Sequence, residues 1–180
     1  MIYCFLADGF EEIEALATID ILRRAEIEVT TVGVGGKVIC ASHGIPVTAD
    51  ITLEQFQPDD KLEGVILPGG MPGTKNLLAA QGVRDAVTFA AEHGRLVCAI
   101  CAAPMILGRM GILSGKKATC FPGFENELAG ASVCTDKVVV DGKVITGKGA
   151  GCALEFGFAI TAQLKGEAVA ESVAASMQCR

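Results

Sequence analysis

The chain contains no tryptophan, a single tyrosine and only two histidines, His43 and His93. Two histidines leave little room for a multi-histidine metal centre, and no paired CxxC motifs stand at zinc-finger spacing, so no metal is expected. Basic side chains are scarce as well: 15 lysines and arginines face 21 acids, for a net charge of −6 and a pI near 4.9. With no basic cluster interleaved with aromatics, nucleic acid is excluded as a partner on electrostatic grounds. Long apolar runs are missing too. The longest central one, from Leu96 to Gly108, is closed by Arg95 and Arg109 and is too short to span a membrane. The opening MIYCFLADGFEE has no basic stretch and turns acidic at once, so it reads as a strand rather than a secretory leader.

What is present is a 180-residue chain that is 51% hydrophobic, enough to bury one substantial core. We expect a single domain over 1–180. Eight cysteines in a chain of this length without a leader read as buried thiols in a reducing, cytoplasmic compartment, with Cys4, Cys98 and Cys120 inside apolar runs.

Apolar strand patterns alternate with helical ones, the mark of an α/β fold with a largely parallel sheet and crossover helices. Strands are predicted over 2–7, 28–34, 64–70 and 95–100. Helices are predicted over 11–24, 75–93 with a break at Gln81-Gly82, 102–110 and 152–164, with an Ala-rich tail to Met177. KVICAS and IPVTAD pair as a hairpin turning at His43-Gly44, and VVVDGKVIT forms another at Asp141-Gly142.

The stretch RLVCAICAAP carries the chemistry. A strand runs into Cys101, small residues follow, and Pro104 falls in the first turn of a new helix: the outline of a nucleophile elbow. A thiol there should meet the helix dipole and free N–H groups that favour the thiolate, making Cys101 the most acidic cysteine of the eight. The Ala102 amide and the Gly69-Gly70 turn at the same sheet edge could hold an oxyanion. Cys98 completes a CxxC, but it lies inside a strand, and alternation should send it to the opposite face from Cys101. Glu11 and Glu12 at the first helix start are explained by the dipole. Glu14, flanked by Ile13 and Ala15, would have a raised pKa if partly buried, fitting a proton donor. Gly149 to Gly151 precede a helix and could bind an anion, although no phosphate-loop spacing is matched. His93 reads as a helix C-terminal partner, and His43 as an exposed turn residue.

Taken in order, FEEIEA, ILPGGMPG, RLVCAICAAP and GKGAGCALEFG resemble the ThiJ/PfpI superfamily, and within it the DJ-one group, over nearly the whole chain. The resemblance implies a flavodoxin-like sandwich, similar to class I glutamine amidotransferase domains and usually a homodimer. It implies that Cys101 is the reactive, oxidisable cysteine, Glu14 its protonated partner, and Gly70 with Ala102 the backbone donors. Gly69 and His43 would lie on the substrate side, His43 near where relatives carry an arginine reaching in from the dimer interface. No cofactor is implied.

Two departures bear on the reaction. Ala102 stands where triad-bearing relatives have histidine, and Phe121 where many DJ-one relatives have another. No Cys–His triad can be written, so base duty falls to Glu14 and a peptidase or amidase is disfavoured. The resemblance therefore implies cysteine-dependent conversion of a reactive aldehyde or dicarbonyl, of glyoxalase or deglycase type, or else a redox sensor or chaperone with little turnover.

Overall fold

The computed structural model describes residues 1–179. Its core is a seven-stranded sheet built from β1 (Ile2–Ala7), β2 (Val29–Val34), β5 (Ile51–Thr52), β6 (Gly64–Leu67), β7 (Leu96–Ile100), β10 (Val138–Asp141) and β11 (Val144–Gly147). The order is β10-β11-β7-β6-β1-β2-β5, and every pair is parallel except the β10–β11 hairpin at one edge. The fold class expected from the sequence is therefore the one observed. β3 (Val38–Cys40) and β4 (Pro46–Thr48) form the expected hairpin, detached as its own small sheet.

Alternation along the strands assigns residues to two cores. From β1, Cys4 and Leu6 join one apolar cluster with residues of α1 (Glu12–Arg24), α5 (Ala153–Lys165) and α6 (Glu167–Ser176). Phe5 and Ala7 join another, with α2 (Gly73–Ala79), α3 (Gln81–Glu92) and α4 (Pro104–Arg109). Both faces are covered, which is why β6 and β7 read as unbroken apolar runs rather than alternating ones. No helix among the described residues is long and apolar enough to cross a membrane.

Two expectations need correction. The third strand stops at Leu67, because Pro68 and the glycine pair leave the sheet as a turn toward α2. The segment after Cys101 is turn until Pro104, and α4 is only six residues long. After α4, β8 (Lys117–Ala118) pairs in parallel with β9 (Ser132–Val133) in a two-stranded sheet that no sequence period announced.

Candidate active site

Cys101 leaves β7 at φ 64, a left-handed conformation that non-glycine residues seldom adopt. Its backbone is held from both sides: its N–H donates to the Gly147 carbonyl at 2.9 Å, and its carbonyl accepts from the Phe121 amide at 2.8 Å. Ala102 and Ala103 are buried where larger side chains would crowd the turn. A strained conformer fixed by neighbours from two other segments is the geometry of a nucleophile elbow.

The elbow changes one sequence inference. Cys98 and Cys101 pack on the same core, not on opposite faces, because the left-handed turn swings Cys101 back over the side that Cys98 faces. The pair is still no redox couple: Cys98 is sealed in the strand, and burial raises its thiol pKa.

Gly69 and Gly70 lie in the turn that follows the neighbouring strand, β6, at the same edge. A Cβ on Gly69 would lie 2.6 Å from the Cys101 Cβ and 2.7 Å from Glu14 Oε2. Gly70 has φ +85, and a Cβ there would lie 2.5 Å from the Glu11 nitrogen. The two glycines let the carboxyl, the sulfur and the turn converge. Glu14, on the first turn of α1, is 1% exposed. Its Oε2 accepts from the Gly69 amide at 2.8 Å, while Oε1 is buried without a hydrogen bond of ordinary geometry.

Burial pushes Glu14 up to about 7, against the pull of the Cys101 thiol and of the Gly69 and Ala150 amides. Burial, and then the negative charge of Glu14, push Cys101 up to about 12, while the Gly70 and Ala102 amides draw it down. Burial and the Glu14 carboxylate thus oppose the free-standing thiolate expected from a helix dipole, and α4 is only six residues long. The two groups form one coupled acid. Above about pH 7 the pair holds a single proton, and moving it from sulfur to carboxyl creates a thiolate without changing the net charge.

Ala150 belongs to the Gly149–Gly151 loop, so at least one donor of that loop faces Glu14. A cavity of about 420 Å³ has Phe121, Pro122, Lys148 and the same glycine loop among its walls, and it is joined to the elbow through Phe121, whose amide donates to the Cys101 carbonyl.

Glu12 is the residue that sequence reasoning undervalued. It is buried and accepts from Ser42 Oγ at 2.8 Å and from the His43 amide at 3.2 Å, and it pairs with the His43 ring at 3.0 Å. Burial opposes its ionisation, yet hydrogen bonds from its own amide, His43 and Ser42 bring it down to about 2. The hydrogen bond and charge of Glu12 in turn raise His43. Only its position two residues before Glu14, in an acidic run longer than a dipole needs, hinted at this.

His43 is exposed as expected but is engaged with Glu12, and His93 caps α3 by bonding the Phe89 carbonyl at 2.8 Å. Among the described residues neither imidazole hydrogen-bonds Cys101 or Glu14. Glu11, Glu12 and His43 bring ligand atoms within 4.8 Å of one another, but Glu11 Oε2 caps α1 through the Glu14 amide and Glu12 is committed to the hairpin.

A non-glycine elbow at Cys101, a buried glutamate across from it and a glycine pair between them match a known pattern across the chain. Residues 1–163 fit the DJ-1/PfpI family. The chain belongs to that family. An Arabidopsis thaliana DJ-1 homologue, B, is 37% identical over 178 residues, covering 97% of this chain but 40% of its own length. This chain therefore spans less than half of that relative, and 45% of Arabidopsis homologue A. A Pyrococcus abyssi deglycase is 31% identical over 144 residues, 79% of this chain and 86% of that protein. The structure of oxidized Toxoplasma gondii DJ-1 superposes with a TM-score of 0.94 at 30% identity, covering 98% of this chain and 97% of that one.

Proposed function

We propose that this protein converts reactive dicarbonyls, with Cys101 as nucleophile and Glu14 as proton shuttle. The observation that carries the reading is the coupled pair: a buried carboxyl raised to about 7 beside a sulfur on a strained elbow. Cys101 sulfur adds to an aldehyde carbon, its proton passing to Glu14. Glu14 returns that proton to the alkoxide, giving a neutral hemithioacetal. For methylglyoxal, Glu14 then takes the C1 proton and delivers it to C2 while the hydroxyl proton passes from the C1 oxygen to the C2 oxygen, giving the lactoyl thioester, which water hydrolyses to lactate and the thiol. The amides of Gly70 and Ala102, with Gly69 leaving the space, stabilise each oxyanion. The apolar wall of Phe121 suits a short carbon arm. The small-molecule site, the family and the name of the Pyrococcus relative support the deglycase or glyoxalase class over a peptidase.

A second reading, a redox sensor or chaperone, is favoured by the partial exposure of Cys101 while Cys4, Cys98, Cys120 and Cys152 are buried. Peroxide can therefore enter the site and reach this thiol, and a protonated Glu14 would hydrogen-bond a sulfinate. Eight free thiols suit a reducing, cytoplasmic setting. A homodimer is supported by Ile13 and Leu16 on α1 and Val38 and Ile45 on the adjoining hairpin, all exposed.

The deciding experiment is lactate formation from methylglyoxal together with intact mass, for wild type and Cys101→Ser. Turnover that disappears in the variant supports the enzyme. Stoichiometric oxidation of wild type without lactate transfers the function to the second reading.

A further inference from the structure

At the sheet edge opposite Cys101, a cavity of about 270 Å³ is lined by Arg95, Lys116 and Lys143, with Val97, Ile112 and Val144 among its apolar walls. The cations come from three segments. Arg95 precedes β7, Lys143 precedes β11, and Lys116 lies in the loop after α4. β7 and β11 pair in parallel, and the Val97 amide donates to the Lys143 carbonyl at 2.9 Å, so Arg95 and Lys143 enter the cavity from neighbouring strands. The Lys116 ammonium lies 4.0 Å from where a Cβ of Gly142 would stand, above the turn that carries Lys143.

These charges are unspent. Elsewhere Arg23, Arg24, Arg109 and Lys137 are each ion-paired with an acid. Among the described residues no acid pairs with Arg95, Lys116 or Lys143, and neither lysine ammonium makes a hydrogen bond. Arg95 donates once, to the Asp60 carbonyl at 3.2 Å, and its Nε is buried with no acceptor. The acid of the same hairpin, Asp141, accepts from the Lys117 amide. Three unpaired cations around one cavity are unexpected in a chain of net charge −6, and a buried donor without an acceptor costs stability until something fills it.

We infer that this cavity is a second ligand site, for a small organic phosphate whose dianionic head sits among Arg95, Lys116 and Lys143 and whose short hydrocarbon arm lies on Val97, Ile112 and Val144. Arginine and lysine are the usual phosphate partners, and three charges match a dianion better than a carboxylate. The site is independent of the reaction at Cys101, from which β7 separates it by roughly 17 Å of strand.

The test is amide NMR of the full chain at low ionic strength, titrated with propyl phosphate, inorganic phosphate and butyrate. Saturable shifts at Arg95, Lys116 and Lys143 are expected, tightest for propyl phosphate and weakest for butyrate. Lys116→Met with Lys143→Met, both surface changes, should weaken propyl phosphate roughly tenfold or more. Cys101→Ser should bind as wild type does. Unchanged affinity in the double variant, shifts centred on Cys101, or no saturable shift with millimolar propyl phosphate would each overturn the assignment. A Lys116→Arg, Lys143→Arg protein that retains binding separates charge loss from misfolding; one that loses it as fully as the Met pair counts against the site.

Discussion

Glu14 pays for its burial, and that cost is measurable. Its carboxyl moves from 4.5 to about 7 because burial disfavours the charged form. The folded state therefore holds a proton that the unfolded chain has released between those values, so stability falls as pH rises through that window, by a few kcal/mol at most, on the order of 3. In Glu14→Gln that slope should flatten, which urea unfolding at several pH values between 4.5 and 7 will show. The same variant separates the two functional readings. The amide donates a hydrogen bond but carries no proton, so dicarbonyl turnover should drop on the order of a hundredfold or more. Peroxide oxidation of Cys101 should survive better, and equal turnover in the two proteins would remove Glu14 as the shuttle. Gly69→Ala tests the space between the groups: with a Cβ 2.6 Å from that of Cys101, stability should fall by about 1–3 kcal/mol and thiol alkylation should change rate.

Among the elements, the elbow was readable and the hairpin anchor was not. A run of apolar residues into Cys101, followed by small residues and Pro104, has few other meanings, so β7 and its turn followed from local sequence alone. Glu12 looked like a dipole partner because its real partners, Ser42 and His43, lie on another element. The thiol pKa was misjudged for the same reason: the carboxyl that raises it comes from α1. β8 and β9, two residues each, are too short to show any period. The anchor makes its own prediction. Glu12, brought down to about 2, supports the hairpin above its ordinary 4.5 and stops doing so as pH falls through 2. His43, raised by Glu12, contributes fully below 6.5 and loses that contribution as pH climbs through its folded value. Amide exchange in residues 41–45, corrected for intrinsic rates, should be slowest between about pH 4.5 and 6.5. Glu12→Ala should abolish that minimum and cost about 1–3 kcal/mol, as for a buried hydrogen-bonded acceptor.

At the scale of the whole molecule, the parallel order and the two-layer covering were legible because both depend on patterns repeated along the chain. The edge strand β5 and the separation of the β3–β4 hairpin from the main sheet were set by tertiary pairing that no local pattern carries. The exposed apolar residues of α1 and the hairpin bear on assembly. If they form the proposed homodimer face, Ile13→Glu with Val38→Asp should convert a dimer to a monomer by light scattering, with Cys101 still alkylated.

The distribution of the eight thiols has a further consequence. Cys4, Cys98, Cys120 and Cys152 are closed to solvent, whereas Cys40 and Cys179 are exposed and Cys101 and Cys134 lie between. A brief pulse of alkylating reagent therefore writes the conformational history of each molecule into its mass. Molecules that stayed folded carry few labels; any that opened fully during the pulse carry all eight. If the sheet opens as one unit, the intact mass spectrum should show two populations with little between them, and their ratio over time is the opening rate. A ladder of intermediate masses would mean that one core yields before the other. The cysteines thus record how many pieces the fold comes apart in.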